Sequence, residues 1–313
     1  MTISGFNGVQ LGALNERGGS IRGALRERPG QVIFTTLVCV VLGVMGIGML
    51  VAAGRYLVTL PEILGGLPAE DQMQSAPVTI LRIFTAGLVS FGLIFLGTAI
   101  FMLRRFVKRW FASQRMAKFA QENGFAYQGD LPGPRFQAVV MKINADDIDH
   151  HRVVTGQVDG RRIEFGDFEA TRDSSDAGDS NTRTTEVLAR YAYIAIDLGV
   201  RAPHFVLDSV SNKRLFRGYG SLKRWDLEGD FPEHFTTWVE EGNEPAMLEL
   251  MTPDFMHEFS EYGQEFDYEI QGTLLLIIAN RRSIGNAHVA EGMLRVADRI
   301  VPGIRQKAMR GNW

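Results

Sequence analysis

The sequence predicts an α+β protein in which a two-helix transmembrane hairpin precedes a cytosolic domain with a mostly antiparallel sheet and flanking helices. Three observations carry that expectation. Two long apolar runs fall in the first third of the 313 residues, arginine and lysine gather outside both runs, and residues 124–313 change to strand-length apolar pieces followed by helices. Net charge is -3, from 33 Lys+Arg against 36 Asp+Glu, with 45% hydrophobic residues and one cysteine. These values exclude a disordered, collagen-like or disulfide-stapled chain. The near-neutral balance also argues against nucleic acid as a partner.

The first run, Val32 to Gly54, and the second, Ile83 to Leu103, contain no charged side chain. At about 1.5 Å per residue, each is long enough to cross the ~30 Å hydrocarbon core of a bilayer. About 30 residues precede the first run, which suits an uncleaved anchor better than a signal peptide. The N-terminal flank holds Arg17, Arg22, Arg26 and Arg28, and the stretch after the second run holds Arg104, Arg105, Lys108, Arg109, Arg115 and Lys118. The loop between, residues 55–82, has only its bounding Arg55 and Arg82 as basic residues, with Glu62, Glu70 and Asp71. Basic flanks face the cytoplasm, so both termini are expected inside a bacterial plasma membrane and the loop outside. A transporter or channel is disfavoured, because ionisable residues that mark ion paths are missing from both spans. Gly48-x-x-x-Ala52 and Ala86-x-x-x-Ser90 supply small residues for close helix packing, within the hairpin or between copies in a homo-oligomer. Cys39, inside the first span, is expected only to pack.

Residues 1–30, rich in Gly and Arg, read as a flexible cytoplasmic arm. The hairpin occupies 31–104, and an unbroken basic helix continues over 105–123. There Arg104, Arg105, Lys108, Arg109 and Trp110 are the residues expected to contact lipid headgroups, since clustered cations beside a span attract anionic lipid and aromatic rings settle at the interface.

Within 124–313, Asp159-Gly160 supplies the positive φ angles of a two-residue turn joining strands 151–158 and 161–170. Residues 172–184 are polar and read as a loop, 186–197 as a central strand apolar on both faces, and 203–210 as another strand. Strands at 234–240 and 266–279 follow. Thr252-Pro253-Asp254 opens a helix to about Tyr262, and Asn286 caps a longer one that Pro302 is expected to end or bend.

No cofactor or metal site is expected, and no catalytic residue is nominated. The cluster Asp146, Asp147, Asp149, His150 and His151 reads as a solvated turn, because adjacent strand residues point to opposite faces and cannot share an ion. Asp173, Asp176 and Asp179 evoke a calcium loop but miss the required alternation and final Glu. His257-Glu258 lacks the second histidine of a zinc-protease helix, and neither a G-x-S-x-G elbow nor a phosphate loop occurs. Gly218-Tyr219-Gly220, beside Arg214, Arg217, Lys223 and Arg224, reads as an ordinary turn on a basic surface. His204, His234 and His288 have no evident partners.

Phe119–Tyr127, Val153–Phe168, Arg190–Asp197 and Gly229–Phe255 together resemble a family of bacterial membrane-anchored domains of unknown function, frequent in actinobacteria. In that family they correspond to an opening helix and first strand, a hairpin, a central strand, and an acidic-aromatic strand leading through a connector into helices. Here Met251 intervenes between Leu250 and the Thr252-Pro253 step. The resemblance implies fold and topology and carries no site residues. The combined expectation is a membrane-tethered binding or scaffold module that meets a protein partner. Its rival is a membrane-anchored hydrolytic or lipid-modifying enzyme using His234 and His257.

Overall fold

A computed structural model describes residues 5–16, 29–65, 76–175, 183–212 and 220–311. The chain forms two compact units, one of residues 18–112 and one of residues 1–17 with 113–313. We call them the helical unit and the sheet unit.

The helical unit contains α2 (Pro29–Gly65) and most of α3 (Ala76–Glu122). Both are long and apolar enough to cross a membrane. The segment expected to loop outward is helical at both ends, since α2 runs on past Arg55 and α3 begins before Arg82. The helices touch at two glycines that the spacing argument did not select. A Cβ on Gly46 would meet the Gly92 carbonyl oxygen at 2.9 Å, and one on Gly92 would meet the Gly46 oxygen at 3.0 Å. Backbone therefore lies on backbone there, as small residues permit. Gly48 has open space instead, and Ser90 returns its hydroxyl to the Ala86 carbonyl at 2.8 Å.

The sheet unit begins with a short 3₁₀ turn at Phe6–Gly8 and α1 (Gly12–Asn15). Expected as part of a flexible arm, residues 5–16 are instead packed: Phe6, Val9, Ala13 and Leu14 are buried in the same core as Met116, Phe119 and Ala120 of α3. Their signal is a short apolar spacing that glycine-rich surroundings obscure. Polar ties hold the segment. Asn123 Nδ2 donates to the Gln10 carbonyl at 2.9 Å while the Gln10 amide donates to Asn123 Oδ1 at 2.7 Å. Glu16 pairs with Lys118, and the Phe6 amide donates to Asp298.

Among the described residues seven strands follow: β1 (Ala126–Pro132), β2 (Asp147–Val158), β3 (Arg161–Ser175), β4 (Arg183–Ser209), β5 (Leu222–Arg224), β6 (Phe235–Glu240) and β7 (Asp267–Asn280). All the pairings are antiparallel, in the order β1-β2-β3-β4-β6-β5, with β7 on the other edge of β4. The β2–β3 turn is the expected one, with Asp159 and Gly160 at φ 50° and 71°; only a residue tolerant of left-handed backbone fits there. Residues 172–175 and 183–184, read as loop, extend the β3–β4 ladder, while 176–182 lie outside the described residues. The strands expected at 186–197 and 203–210 are one 27-residue strand, β4. It carries a wide bulge, because the β7 register moves from Asp197↔Leu274 to Ala202↔Gly272 and then Phe205↔Ile270.

Alternation along β4 separates two cores. Ala192, Ile194 and Ile196 face the helical layer; Tyr191, Tyr193 and Ala195 face the segment between β1 and β2, which contributes Ala138, Val140 and Met141. The helical layer is α4 (Phe231–His234), α5 (Glu244–Leu250), α6 (Pro253–Tyr262) and α7 (Ala287–Ala308). Asn286 caps α7 by accepting from the His288 amide at 3.1 Å. Pro302 does not end that helix. Burial of Ile300, Val301, Ile304 and Ala308 offsets a proline penalty of about 3 kcal/mol.

Candidate functional site

The sheet forks around β4. Its ladder to β3 stops at Ile196↔Ile163, and its ladder to β6 starts at Phe205↔Val239. Among the described residues, 197–204 thus have no partner strand on that side, though β7 continues along the other. The fork opens a cleft of about 910 Å³. The β2–β3 hairpin brings Arg162 and Glu164, the bulge brings Asp197, Arg201, Pro203 and His204, and β6 brings Glu240. Gln271, Gly272, Thr273 and Leu274 of β7 and Arg135 and Phe136 of the segment after β1 complete the lining. That volume lies within the range of small-ligand pockets.

Two polar networks brace the walls. In one, Arg135 grips Glu164 with both ends of its guanidinium, at 2.9 and 2.7 Å. Tyr193 donates its hydroxyl to Glu164 Oε1 at 2.9 Å, and His150 Nδ1 lies 2.9 Å from the same hydroxyl. Since the tyrosine proton goes to the carboxylate, His150 Nδ1–H is the donor to Tyr193, leaving Nε2 as a buried acceptor without a partner among the described residues. Burial pulls the His150 imidazole down to about 4, with Glu164 opposing and Arg135 assisting. Burial likewise raises the Tyr193 phenol well above its ordinary value, with Glu164 next in effect. In the second network, buried Glu269 accepts from the amides of Val139 and Val140 at 2.7 and 2.9 Å and faces His204 Nε2 at 3.1 Å. His204 Nδ1 lies 3.3 Å from Glu240. Two carboxylates orient this imidazole, and the pair offers neither a hydroxyl nor a thiol as nucleophile.

Several sequence expectations change here. His150 is not in a solvated turn; it is fully buried on β2, whereas His151 remains partly exposed near Asp130 and Glu169. His204, read as lacking partners, has two. His257 is on the exposed face of α6, 2.8 Å from Glu261, and His234 closes α4; no hydrogen bond or ion pair joins those two histidines among the described residues. The glycine turn at 218–220 falls largely outside the described residues, and the loop acids Asp176 and Asp179 lie wholly outside them. Arg104, Arg105, Lys108 and Arg109 are exposed on α3, and the Trp110 ring lies 5.2 Å from that of Phe111. No group of three or more metal-ligating side chains is placed to hold an ion among the described residues. Glu164, His204, Glu240 and Glu269 come from four strands, so spacing could not connect them. The readable signal was a lone carboxylate inside an apolar strand, as in Ile163-Glu164-Phe165 and Tyr268-Glu269-Ile270.

Fold and cleft together define the class: an apolar helix pair joined to an α+β unit with a forked antiparallel sheet. No family model matches the chain, and no curated protein matches it. Among solved structures, the crystal structure of the mycobacterial trehalose monomycolate transport factor A, TtfA, is similar over 62% of this chain and 96% of that chain, with 14% identity and a TM-score of 0.44. A likeness at that level assigns neither fold family nor role.

Proposed function

We propose that this protein is a membrane-tethered, non-enzymatic module whose sheet unit binds a partner protein through the cleft at the fork. The carrying observation is the cleft: an open strand edge, apolar patches and arginines meet there, while every buried cleft carboxylate is already engaged by the chain. Two apolar helices of spanning length support the anchor. The packed N-terminal segment supports the hairpin topology. Glu16 precedes both apolar stretches, Lys118 of α3 follows the second, and the two are paired in one folded unit. Residues in contact lie on one side of a bilayer, so the chain between them crosses an even number of times. The basic flanks assign that side to the cytoplasm of a bacterial plasma membrane, with Arg104, Arg105, Lys108, Arg109 and Trp110 at the headgroups.

Photo-crosslinking in living cells tests the binding role. A benzophenone amino acid at Thr273, in the cleft, is expected to give a discrete adduct that a probe at Glu249 on α5 does not. The absence of an adduct at Thr273, or the same adduct at both positions, would contradict the proposal.

A further inference from the structure

The unspent groups of the cleft indicate what it grips, granted that it is the binding site. Its carboxylates are committed: Glu164 to Arg135 and Tyr193, Asp197 to the Gly199 amide at 3.0 Å, Glu240 to Asn243 at 3.1 Å and to His204. Arg135 is spent on Glu164. Arg162 and Arg201, both exposed, make no ion pair or side-chain hydrogen bond among the described residues. Arg162 also borders a smaller hollow of about 460 Å³ beside Thr155 and Gln157, so its guanidinium has room to turn. Guanidinium forks bind carboxylates bidentately and more strongly than neutral donors do.

A second feature selects among carboxylate ligands. Between Ile196 and Phe205, β4 has no paired strand on the cleft side among the described residues; the Gly199 amide is taken by Asp197 and the Leu198 carbonyl by Arg305, which leaves the stretch from Val200 to His204 as the open edge. Extended peptides add to such edges through main-chain hydrogen bonds while pockets read their side chains. Phe136, Pro203 and Leu274 give apolar footing between the charges. We infer that the cleft takes a short, extended, acidic peptide segment of the partner, its main chain along residues 200–204 and its carboxylates on Arg162 and Arg201.

Calorimetric titration of the full chain in zwitterionic nanodiscs tests this with two peptides, acetyl-Leu-Glu-Val-Glu-Ala-amide and the same sequence with Gln for Glu. The acidic peptide is expected to bind about tenfold tighter or more than the Gln peptide, and more weakly as salt rises. R162A/R201A is expected to remove that advantage without changing the melting temperature, because neither arginine holds a partner in the fold. Equal affinity for both peptides, or unchanged binding by the double variant, would overturn the inference. Inorganic phosphate binding tighter than the acidic peptide would assign the arginines to a free anion and overturn it as well. If neither peptide binds while the Thr273 adduct persists, the acidic-peptide inference fails and the binding module stands; if both vanish, both fail.

Discussion

At the scale of single residues, two buried titratable groups set opposing pH responses. Asp267 is fully buried; its Oδ1 accepts from the Ser209 amide at 2.7 Å and from Asn212 at 3.0 Å, and its Oδ2 has no partner among the described residues. Burial pushes its carboxyl up to about 8, with neighbouring Asp208 adding to the rise. The folded state therefore holds a proton that the unfolded chain releases near pH 4, and stability falls as pH rises from there to about 8. His150 acts oppositely. Its folded value of about 4 lies below the ordinary 6.5, so stability falls as pH drops through that window. Between about pH 4 and 6.5 the two slopes oppose, and above 6.5 Asp267 acts alone. Asp267→Asn is expected to raise stability at pH 8 and flatten the fall above pH 6.5, by about 1.4 kcal/mol per pH unit crossed. Urea unfolding at pH 6, 7 and 8 checks this; a variant with the wild-type pH slope would contradict it.

At the scale of elements, the N-terminal segment and the helix crossing are the exposed dependencies. Phe6 is 2% exposed in the main core, so Phe6→Ala is expected to cost about 3 kcal/mol of sheet-unit stability by leaving a cavity. Chemical denaturation followed by tryptophan fluorescence measures it, and a loss below about 0.5 kcal/mol would mean that the segment is not part of the core. Gly46→Leu places a side chain where the Gly92 carbonyl sits 2.9 Å away. It is expected to separate the helix pair, abolishing a short bismaleimide crosslink between cysteines placed at Tyr56 and Phe84, whose rings lie 6.0 Å apart, in a Cys39→Ala background. Much at this scale was legible in advance. The Asp159-Gly160 turn, the Asn286 cap and the apolar β7 run each announce themselves within a few residues. The strand through 172–175 was not legible, because its polar residues gain order only from pairing with β4. Nor was the bulge that merges two expected strands into one, because it depends on the β7 register.

At the scale of the molecule, the proposal divides the labour: the helix pair attaches and the sheet unit recognises. The cleft was hidden from sequence for a physical reason: its lining comes from β3, β4, β6, β7 and the segment after β1, brought together only by the fork. The spans were plain because hydrophobic length is local. The proposed sidedness rests on flanking arginines, and the Glu16–Lys118 contact adds an independent parity argument. The central claim is that an even-spanning anchor keeps the N-terminal segment and the sheet unit together in the cytoplasm. Single cysteines at Asn7, Gln72 and Glu249, each in a Cys39→Ala background, test it most directly by labelling intact cells with a membrane-impermeant maleimide. The account predicts labelling at position 72 alone, with positions 7 and 249 reacting only after permeabilisation; labelling of 7 or 249 in intact cells, or protection of 72, would contradict it.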